Sequence, residues 1–501
     1  MREALEAWLA SAARGGDAFA AVRSAAEAVA NQPWDVVQLA GRLARAKYSI
    51  AEEDLGLTPA LKVVAPEARS AIARIDQGQP FPHYDATGRA GRGAFDTPVD
   101  MARRVVRATL RAVEGQLTTG LDTACGTGAF LLAMAEAGIP EIYGTDLDEL
   151  ALEVARIAVP HARIVRDDAL RHGPQVDVMC GNPPYVPPEL QDREMRKELR
   201  RRFPWLKGRF DLVVPFAAVA VDRVRPGGAA GLVMPFAAMV QPYGSVLRRR
   251  WVERHHLVEL SGPMGFPGVS IEVALVVLQN GTGPRPLPSG VAPEELLWLD
   301  NVPLDPILQP GDVDLIESIR TRCVTLGSLA TVDTGLVAHG PAGGKGSLIH
   351  DEPAPGRKPY ADARDFFAGH RRWIEYAPAK MHRPKSPALF EPNKVVVQRI
   401  RGKGPVKAAV DRNGTFVGHT CTVVVPRHPL LDLDRLVGLV TDPLISGFLR
   451  LERGQRIDLY PKDVASIPIS MEWLSTPGMT VAEMLGLTTE SEARLERAPG
   501  R

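Results

Sequence analysis

The segment Thr119–Gly138, TGLDTACGTGAFLLAMAEAG, decides the fold of this 501-residue chain. It reads as a short buried strand ending near Asp122, a glycine turn, and an apolar helix beginning near Ala129. Gly126 and Gly128 let the backbone turn tightly and approach a ligand, and the start of the helix offers free N–H groups. This order of elements predicts a nucleotide-binding α/β sheet.

A second acid follows the glycine turn at a useful distance. The apolar run that ends at Asp146 lies about twenty residues further on, where an acid suits the two hydroxyls of a ribose. The turn is GTG, it is preceded by Asp122, and no Lys-Ser/Thr pair follows it. These features disfavour a nucleoside triphosphate and favour adenosylmethionine over a dinucleotide. A packing turn in an ordinary α/β domain is the alternative for the glycines alone.

Two further strand ends complete the predicted binding edge. The stretch ARIVRDDALRHG places Asp167 and Asp168 after a third strand, and either carboxylate can accept a hydrogen bond from the cofactor's adenine amine. An exposed loop acid is the equally weighted alternative. The stretch QVDVMCGNPPY ends a fourth strand at Asn182. In a doubly wound sheet all these strand ends lie on one edge, where ligands bind.

The two prolines of the stretch Asn182–Tyr185, NPPY, have a chemical explanation. Asn182 and Pro183 each precede a proline, so both are held extended and the prolines fix φ. The Asn182 side-chain oxygen and the Pro183 carbonyl can both accept from one exocyclic amine. That pairing favours a tetrahedral nitrogen whose lone pair faces a sulfonium methyl group, while Tyr185 can stack on the base. A simple turn after a strand is the alternative.

Composition limits the class of protein. A chain of this length exceeds one ordinary core, which predicts two or three domains, and the net charge of +1 decides little. The four cysteines are far apart and form no CxxC pair, which disfavours disulfides and a zinc site and predicts a reducing, cytoplasmic setting. No metal is expected. The start of the chain lacks the pattern of a secretory signal, and the apolar run 212–240 is too interrupted to span a membrane.

The pattern along the chain predicts five sections. Residues 1–80 have helical spacing and no assignable role, and residues 81–282 alternate strand and helix patterns. Residues 283–295 are rich in Gly and Pro, which predicts a linker. Residues 296–480 mix strand-like and helical pieces, and residues 481–501 are expected to be frayed.

The motif order resembles that of gamma-class N6-adenine DNA methyltransferases built like the TaqI methylase. This resemblance implies an α/β, Rossmann-like adenosylmethionine-dependent domain, a helical N-terminal section and a C-terminal α+β target-recognition domain. It also implies methyl transfer from S-adenosylmethionine to N6 of a flipped-out adenine, with no covalent intermediate. The residues carried over as catalytic are Asn182, Pro183, Pro184, Tyr185 and Phe266, the last as a second ring against the base. Those carried over for the cofactor are Thr97, Pro98, Asp122, Ala124, Cys125, Gly126, Gly128, Phe130, Asp146, Leu147, Asp168 and Asn182.

Charge supports DNA as the partner implied by the resemblance. Residues 357–412 hold fourteen Lys/Arg against five Asp/Glu, and a basic run, read as a loop, follows NPPY directly. The residues expected to contact double-stranded DNA are Arg193, Arg196, Lys197, Arg200, Lys394, Arg399, Arg401, Lys403 and Lys407. For any one of them a solvated surface position is the alternative. A monomer is expected, with a separately encoded endonuclease or defence protein as a possible partner, because no nuclease pattern is present.

Three other functions remain open from the sequence. A protein-glutamine methyltransferase also carries NPPY, but lacks the large second domain and a TP motif before the glycine turn. An RNA adenine methyltransferase shares the motif. A catalytically silent DNA-binding subunit is disfavoured by the intact NPPY and DTACGTG motifs.

Overall fold

The computed structural model describes residues 97–501 except 149–150, 153–154, 157–158, 160, 172, 267–270, 282, 339–347, 400–404, 457 and 499–501. The predicted helical section 1–80 lies outside the described residues. Two compact units divide at Pro306 and Ile307. No helix in the described part of the chain is both long and apolar enough to cross a membrane.

A seven-stranded sheet forms the centre of the first unit. Its strands are β1 (Thr119–Asp122), β2 (Glu141–Asp146), β3 (Arg163–Arg166), β4 (Val176–Gly181), β5 (Val224–Pro235), β6 (His256–Gly265) and β7 (Glu272–Gln279). Their order is β3-β2-β1-β4-β5-β7-β6. Strands β1 to β5 pair in parallel, while β7 is antiparallel to both β5 and β6. The parallel strand ends therefore meet at one edge, as the sequence predicts.

The helices of the first unit are α1 (Val99–Arg111), α2 (Ala129–Glu136), α3 (Arg193–Arg202), α4 (Val213–Asp222), α5 (Phe236–Val240), α6 (Ser245–Arg254) and α7 (Pro293–Trp298). Strand β4 is buried along its whole length, and nearly every side chain of α4 is buried. Such continuous apolar runs suit a sheet covered on both faces. Helix α1 packs so closely on β5 that a Cβ added to Gly231 would collide with Thr109.

The predicted linker 283–295 is wrong in position. Val291, Leu296 and Leu304 are fully buried, and α7 begins within the predicted linker. The cause is Arg248, a fully buried side chain that donates to the carbonyls of Val302 (2.9 Å) and Asn301 (2.7 Å). The segment up to Pro306 thus belongs to the first unit, so the second begins later than residue 296.

The second unit is α+β, as expected. Its strands are β8 (Val324–Thr325), β9 (Ala330–Thr334), β10 (Ile349–His350), β11 (Lys358–Ala361), β12 (Arg372–Ile374), β13 (Lys394–Gln398), β14 (Ala408–Asp411), β15 (Phe416–Val417), β16 (Cys421–Pro426) and β17 (Pro468–Ile469). Two four-stranded sheets have the orders β10-β12-β11-β15 and β14-β13-β16-β9, and β17 pairs with β8. Phe390 and Phe416 pack in the core of this unit, with ring centroids 4.7 Å apart.

The helices of the second unit are α8 (Asp312–Arg322), α9 (Leu326–Leu329), α10 (Ala363–Phe367), α11 (Leu433–Thr441), α12 (Pro443–Arg453), α13 (Pro461–Ala465), α14 (Met471–Ser475), α15 (Val481–Leu485) and α16 (Thr489–Arg497).

The prediction that residues 481–501 fray is wrong for most of that segment. Both α15 and α16 are formed, and Leu495 is fully buried. Arg494 makes a two-pronged ion pair with the buried Asp312, with Nε to Oδ1 at 2.8 Å and Nη2 to Oδ2 at 2.5 Å. Such bidentate charge-assisted contacts tie the end of the chain to α8.

Candidate active site

The glycine turn has the geometry that its sequence demands. Gly126 and Gly128 have φ values of 50° and 95°, in the left-handed region that favours glycine. A Cβ on Gly128 would come within 3.2 Å of the Ala155 backbone. The N–H of Gly126 donates to Oδ2 of Asp146 at 2.9 Å, and the N–H of Asp148 donates to Oδ1 at 3.0 Å. The turn after β1 and the acid ending β2 are therefore one hydrogen-bonded unit.

Asp122, which precedes this turn, is buried beneath it. Its side chain is about 1% exposed, and Oδ1 accepts from the N–H of Ala124 at 3.0 Å. Burial raises the pKa of Asp122 to about 8. Burial also raises the pKa of Asp146, against the backbone hydrogen bonds from Asp148 and Gly126 that lower it. The buried Asp122 and the partly buried Asp146 thus lie together at the ends of β1 and β2.

Asn182 is fixed from two sides at the end of β4. Its Nδ2 donates to Oγ1 of Thr97 at 3.1 Å, and its Oδ1 accepts from the hydroxyl of Tyr185 at 2.5 Å. Thr97 is buried just before α1, so the TP motif and NPPY meet although 85 residues separate them. Thr97 is predicted from the sequence as a cofactor residue, and its contact with Asn182 is visible only in the fold.

The ring of Tyr185, expected to stack on a base, is largely covered in this structure. The residue is 7% exposed, its hydroxyl also lies 3.0 Å from the carbonyl of Val233, and burial raises its pKa well above the usual value. Phe266, at the end of β6, is likewise buried at 5% exposed. Residues 267–270, which follow it, are outside the described part of the chain.

A cavity of about 920 Å³ lies at this edge of the sheet, comparable to the upper range of small-molecule sites. Of the predicted residues, Ala124, Gly126, Asp146, Leu147, Asp168, Asn182 and Pro184 line it. It therefore joins the glycine turn, the ends of the four parallel strands β1 to β4 and the amide of NPPY. Its wall includes exposed apolar groups, since Leu147 and Met195 are 61% and 41% exposed. Such surface beside carboxylates suits an adenosine.

Several predicted cofactor residues do not line this cavity. They are Thr97, Pro98, Asp122, Cys125, Gly128 and Phe130. Phe130 is buried within α2, and the Cys125 N–H donates to the Thr145 carbonyl at 3.0 Å. Cys125, Gly128 and Phe130 form the turn and the start of α2, while Thr97 contacts Asn182, which does line the cavity.

Sequence reasoning missed two contributors to the cavity. Phe216, on α4, lines it, although its surroundings read as an unbroken buried helix. Helix α3 also lines it through one face, although the run was read as a basic DNA-contacting loop. The missed signal was Asp192, whose carboxylate caps the helix by accepting from the N–H groups of Glu194 and Met195, both at 3.1 Å.

The cations expected to contact DNA differ in their burial and in their contacts within the protein. Lys394 is fully buried and paired with Asp411 at 2.5 Å, so its placement on a DNA surface is wrong. Arg200 donates to the carbonyl of Gly208 at 2.7 Å, and Arg196 donates to that of Pro188 at 3.3 Å. The Arg399 guanidinium lies 4.8 Å from the ring centroid of Tyr460.

The remaining cations are exposed or outside the described residues. Arg193, Lys197 and Lys407 are exposed, with Lys197 3.9 Å from Glu194. Arg401 and Lys403 fall in the segment that the structure leaves undescribed.

Part of this site falls within a match to a known protein family. Residues 164–261, which contain NPPY and α3, match the family model described as Eco57I restriction-modification methylase. The type II methyltransferase M.BanIII of Aneurinibacillus aneurinilyticus is 25% identical over 201 residues, covering 34% of this chain and 34% of that protein. The type II methyltransferase M.PaeR7I of Pseudomonas aeruginosa is 36% identical over 83 residues, covering 17% of this chain and 14% of that protein. The chain thus spans about a third or less of the length of these relatives.

Among solved structures, the DrdV protein in its complex with DNA matches with a TM-score of 0.52 at 11% identity, covering 85% of this chain and 64% of that chain. This likeness and the strand order show a Rossmann-like α/β fold, as the sequence predicts. Over the matched residues, the chain is similar to type II restriction-modification methyltransferases.

Proposed function

We propose that this chain transfers a methyl group from S-adenosylmethionine to the N6 amine of an adenine in double-stranded DNA, as a gamma-class modification enzyme of a restriction-modification system. One observation carries the proposal. The Asn182 amide, held between Thr97 and Tyr185, lines the same cavity as the glycine turn and Asp146. An amine acceptor and a nucleoside site therefore share one space.

The residues of the cavity fit the proposed cofactor. Both oxygens of Asp146 keep lone pairs beyond those used by the Gly126 and Asp148 N–H groups, and these can accept from ribose hydroxyls. Leu147 and Phe216 offer apolar surface to a purine, and Asp168 offers an acceptor to its amine. When bound, S-adenosylmethionine supplies an electrophilic sulfonium methyl group.

The NPPY residues would prepare the target amine. The target adenine must leave the helical stack, because N6 is out of reach in a duplex. Asn182 Oδ1 and the Pro183 carbonyl then accept the two hydrogens of the amine and direct its lone pair away from the ring. In the present structure Oδ1 already accepts from Tyr185, so the Tyr185 hydroxyl must release it. The proposed sandwich between Tyr185 and Phe266 likewise requires both buried rings to become accessible when DNA binds.

A transfer assay with three acceptors tests this function. The full-length protein is incubated with radiolabelled S-adenosylmethionine and, separately, duplex DNA, tRNA and a glutamine-bearing protein. We expect label in DNA alone, and its loss in Asn182→Ala with binding of the cofactor product retained. Label in RNA or protein but not DNA would contradict the proposal, and near-wild-type transfer by Asn182→Ala would contradict the role of the amide.

A further inference from the structure

One face of α3 forms a wall of the cofactor cavity. Its lining residues are Glu194, Met195, Glu198, Leu199 and Arg202, which are spaced so that they lie on one side of a helix. Arg201 lies at the border of this face without lining the cavity, and its side chain is 79% exposed. The helix therefore contributes both apolar and charged groups to the cavity, immediately after the NPPY stretch.

Arg202 connects this helix to the end of β3. Its side chain is 22% exposed, and its Nη2 donates to Oε1 of Glu198 at 3.0 Å. Its Nη1 lies 3.8 Å from Oδ2 of Asp168, within ion-pair distance. Glu198 thus holds the Arg202 guanidinium against α3, within ion-pair distance of Asp168.

Asp168 is oriented by its other neighbours as well. Oδ1 accepts from the N–H of Leu170 at 3.1 Å, and Oδ2 accepts from Nε of Arg171 at 3.1 Å. Arg171 also lines the cavity, but its side chain is 54% exposed, and an ion pair so open to solvent fixes the carboxylate only weakly. Arg202 approaches the same oxygen from the cavity wall and is the better-buried of the two cations.

We infer that Arg202 is a positioning residue that holds Asp168 for the adenine amine of the cofactor and thereby sets selectivity for an adenosyl over an inosyl group. The inference rests on the proposed function. A carboxylate only accepts hydrogen bonds, so it pairs with the amine of adenine and faces an unpaired oxygen in hypoxanthine. Sites built for one polar group discriminate strongly against an analogue that lacks it.

Binding of two nucleosides to matched variants tests the inference. Dissociation constants for S-adenosylhomocysteine and S-inosylhomocysteine are measured by calorimetry on the full-length wild type, Arg202→Met, Arg202→Lys and Arg201→Met. Arg201 is the matched control, because it pairs with the same Glu198 at 3.0 Å but does not line the cavity.

We expect Arg202→Met to weaken S-adenosylhomocysteine binding about tenfold, which corresponds to losing the hydrogen bond between the Asp168 carboxylate and the adenine amine. Binding of S-inosylhomocysteine should stay within about twofold of the wild type. Arg202→Lys should restore most of the selectivity, and Arg201→Met should match the wild type.

Two results would overturn the inference. One is equal loss of both ligands in Arg202→Met, which would mean general damage to the cavity. The other is an adenosyl-to-inosyl ratio in Arg202→Met that matches the Arg201→Met control. Wild-type protein that binds neither nucleoside would contradict the inference and the proposed function together. Selective binding without transfer to DNA would contradict the proposed function alone and leave the inference standing.

Discussion

Asn182 depends on residues that are distant in the sequence. Thr97 holds its amide nitrogen and Tyr185 holds its oxygen, so the side chain has little freedom to rotate. Catalytic groups need this kind of support, because small losses of orientation cost large factors in rate. The NPPY stretch alone predicts the acceptor, but only the fold shows that Thr97 contacts it.

Removing the Thr97 oxygen tests that support. We expect Thr97→Val to lower the methyl-transfer rate about tenfold, because Nδ2 of Asn182 loses its acceptor, while S-adenosylhomocysteine binding changes little. Thr97→Ser keeps the oxygen and is the matched control. The measurements are single-turnover transfer and calorimetry. A variant with valine that transfers as fast as the one with serine would show that the contact does not matter.

Asp122 makes stability depend on pH. Its pKa is raised from 3.8 to about 8 by burial. The folded state therefore binds the proton more tightly than the unfolded state, and the stabilising contribution is full below about pH 4 and is lost as pH rises through 8. The Asp122→Asn variant removes this titration but keeps an oxygen for the Ala124 N–H.

We expect the wild type to lose on the order of 4 kcal/mol more unfolding free energy than Asp122→Asn between pH 5 and pH 8, at about 1.4 kcal/mol per pKa unit. Denaturant unfolding at both pH values measures this difference. Parallel pH profiles for the two proteins would show that Asp122 does not carry the buried proton.

At the scale of elements, the sequence predicts correctly those strands and helices whose local residue pattern matches their position in the fold. The run into Asp122, the glycine turn and α2 follow from apolar strands and turn chemistry, and they fix the parallel sheet. Helix α3 was missed as a cavity wall because its basic residues dominate its composition, although Asp192 marks its start. Lys394 was misplaced for the same reason. Charge alone does not reveal that a cation on β13 faces a carboxylate on β14 inside the unit.

The buried pair of β13 and β14 predicts asymmetric mutant effects. Lys394→Met leaves the Asp411 carboxylate buried without its cation and should destabilise the second unit by about 3–5 kcal/mol. Adding Asp411→Asn removes that charge while keeping an acceptor for the Thr415 N–H, and it should recover much of the loss. Thermal unfolding of the wild type, the single variant and the double variant measures this. If the single variant is as stable as the double variant, the pair is not buried as described.

At the scale of the whole molecule, the boundary between the units lies where packing ends rather than where composition changes. The Gly- and Pro-rich stretch after β7 looks like a linker, yet the segment beyond it packs on the first unit through Val302 and Leu304. The carbonyls that accept from Arg248 carry no signal in the sequence, so this boundary could not be predicted. The end of the chain was misjudged similarly, because the Arg494–Asp312 pair joins residues 182 positions apart.

Arg248 should be essential to that packing. Its replacement in Arg248→Met leaves the carbonyls of Asn301 and Val302 without their donor in a buried site, at a cost of about 1–3 kcal/mol each. We expect a lower unfolding temperature and faster proteolysis near residues 283–306. The exposed Arg254→Met on the same helix is the control. Equal stability of the two variants would contradict the assignment of this segment to the first unit.

The proposed chemistry is tested most directly by identifying the methylated atom. Duplex DNA is incubated with the full-length protein and isotope-labelled S-adenosylmethionine, digested to nucleosides and analysed by mass spectrometry against standards. The account predicts labelled N6-methyl-2′-deoxyadenosine as the product, absent with Asn182→Ala. Label on N4 or C5 of cytosine, or label found only in RNA or protein, would contradict it.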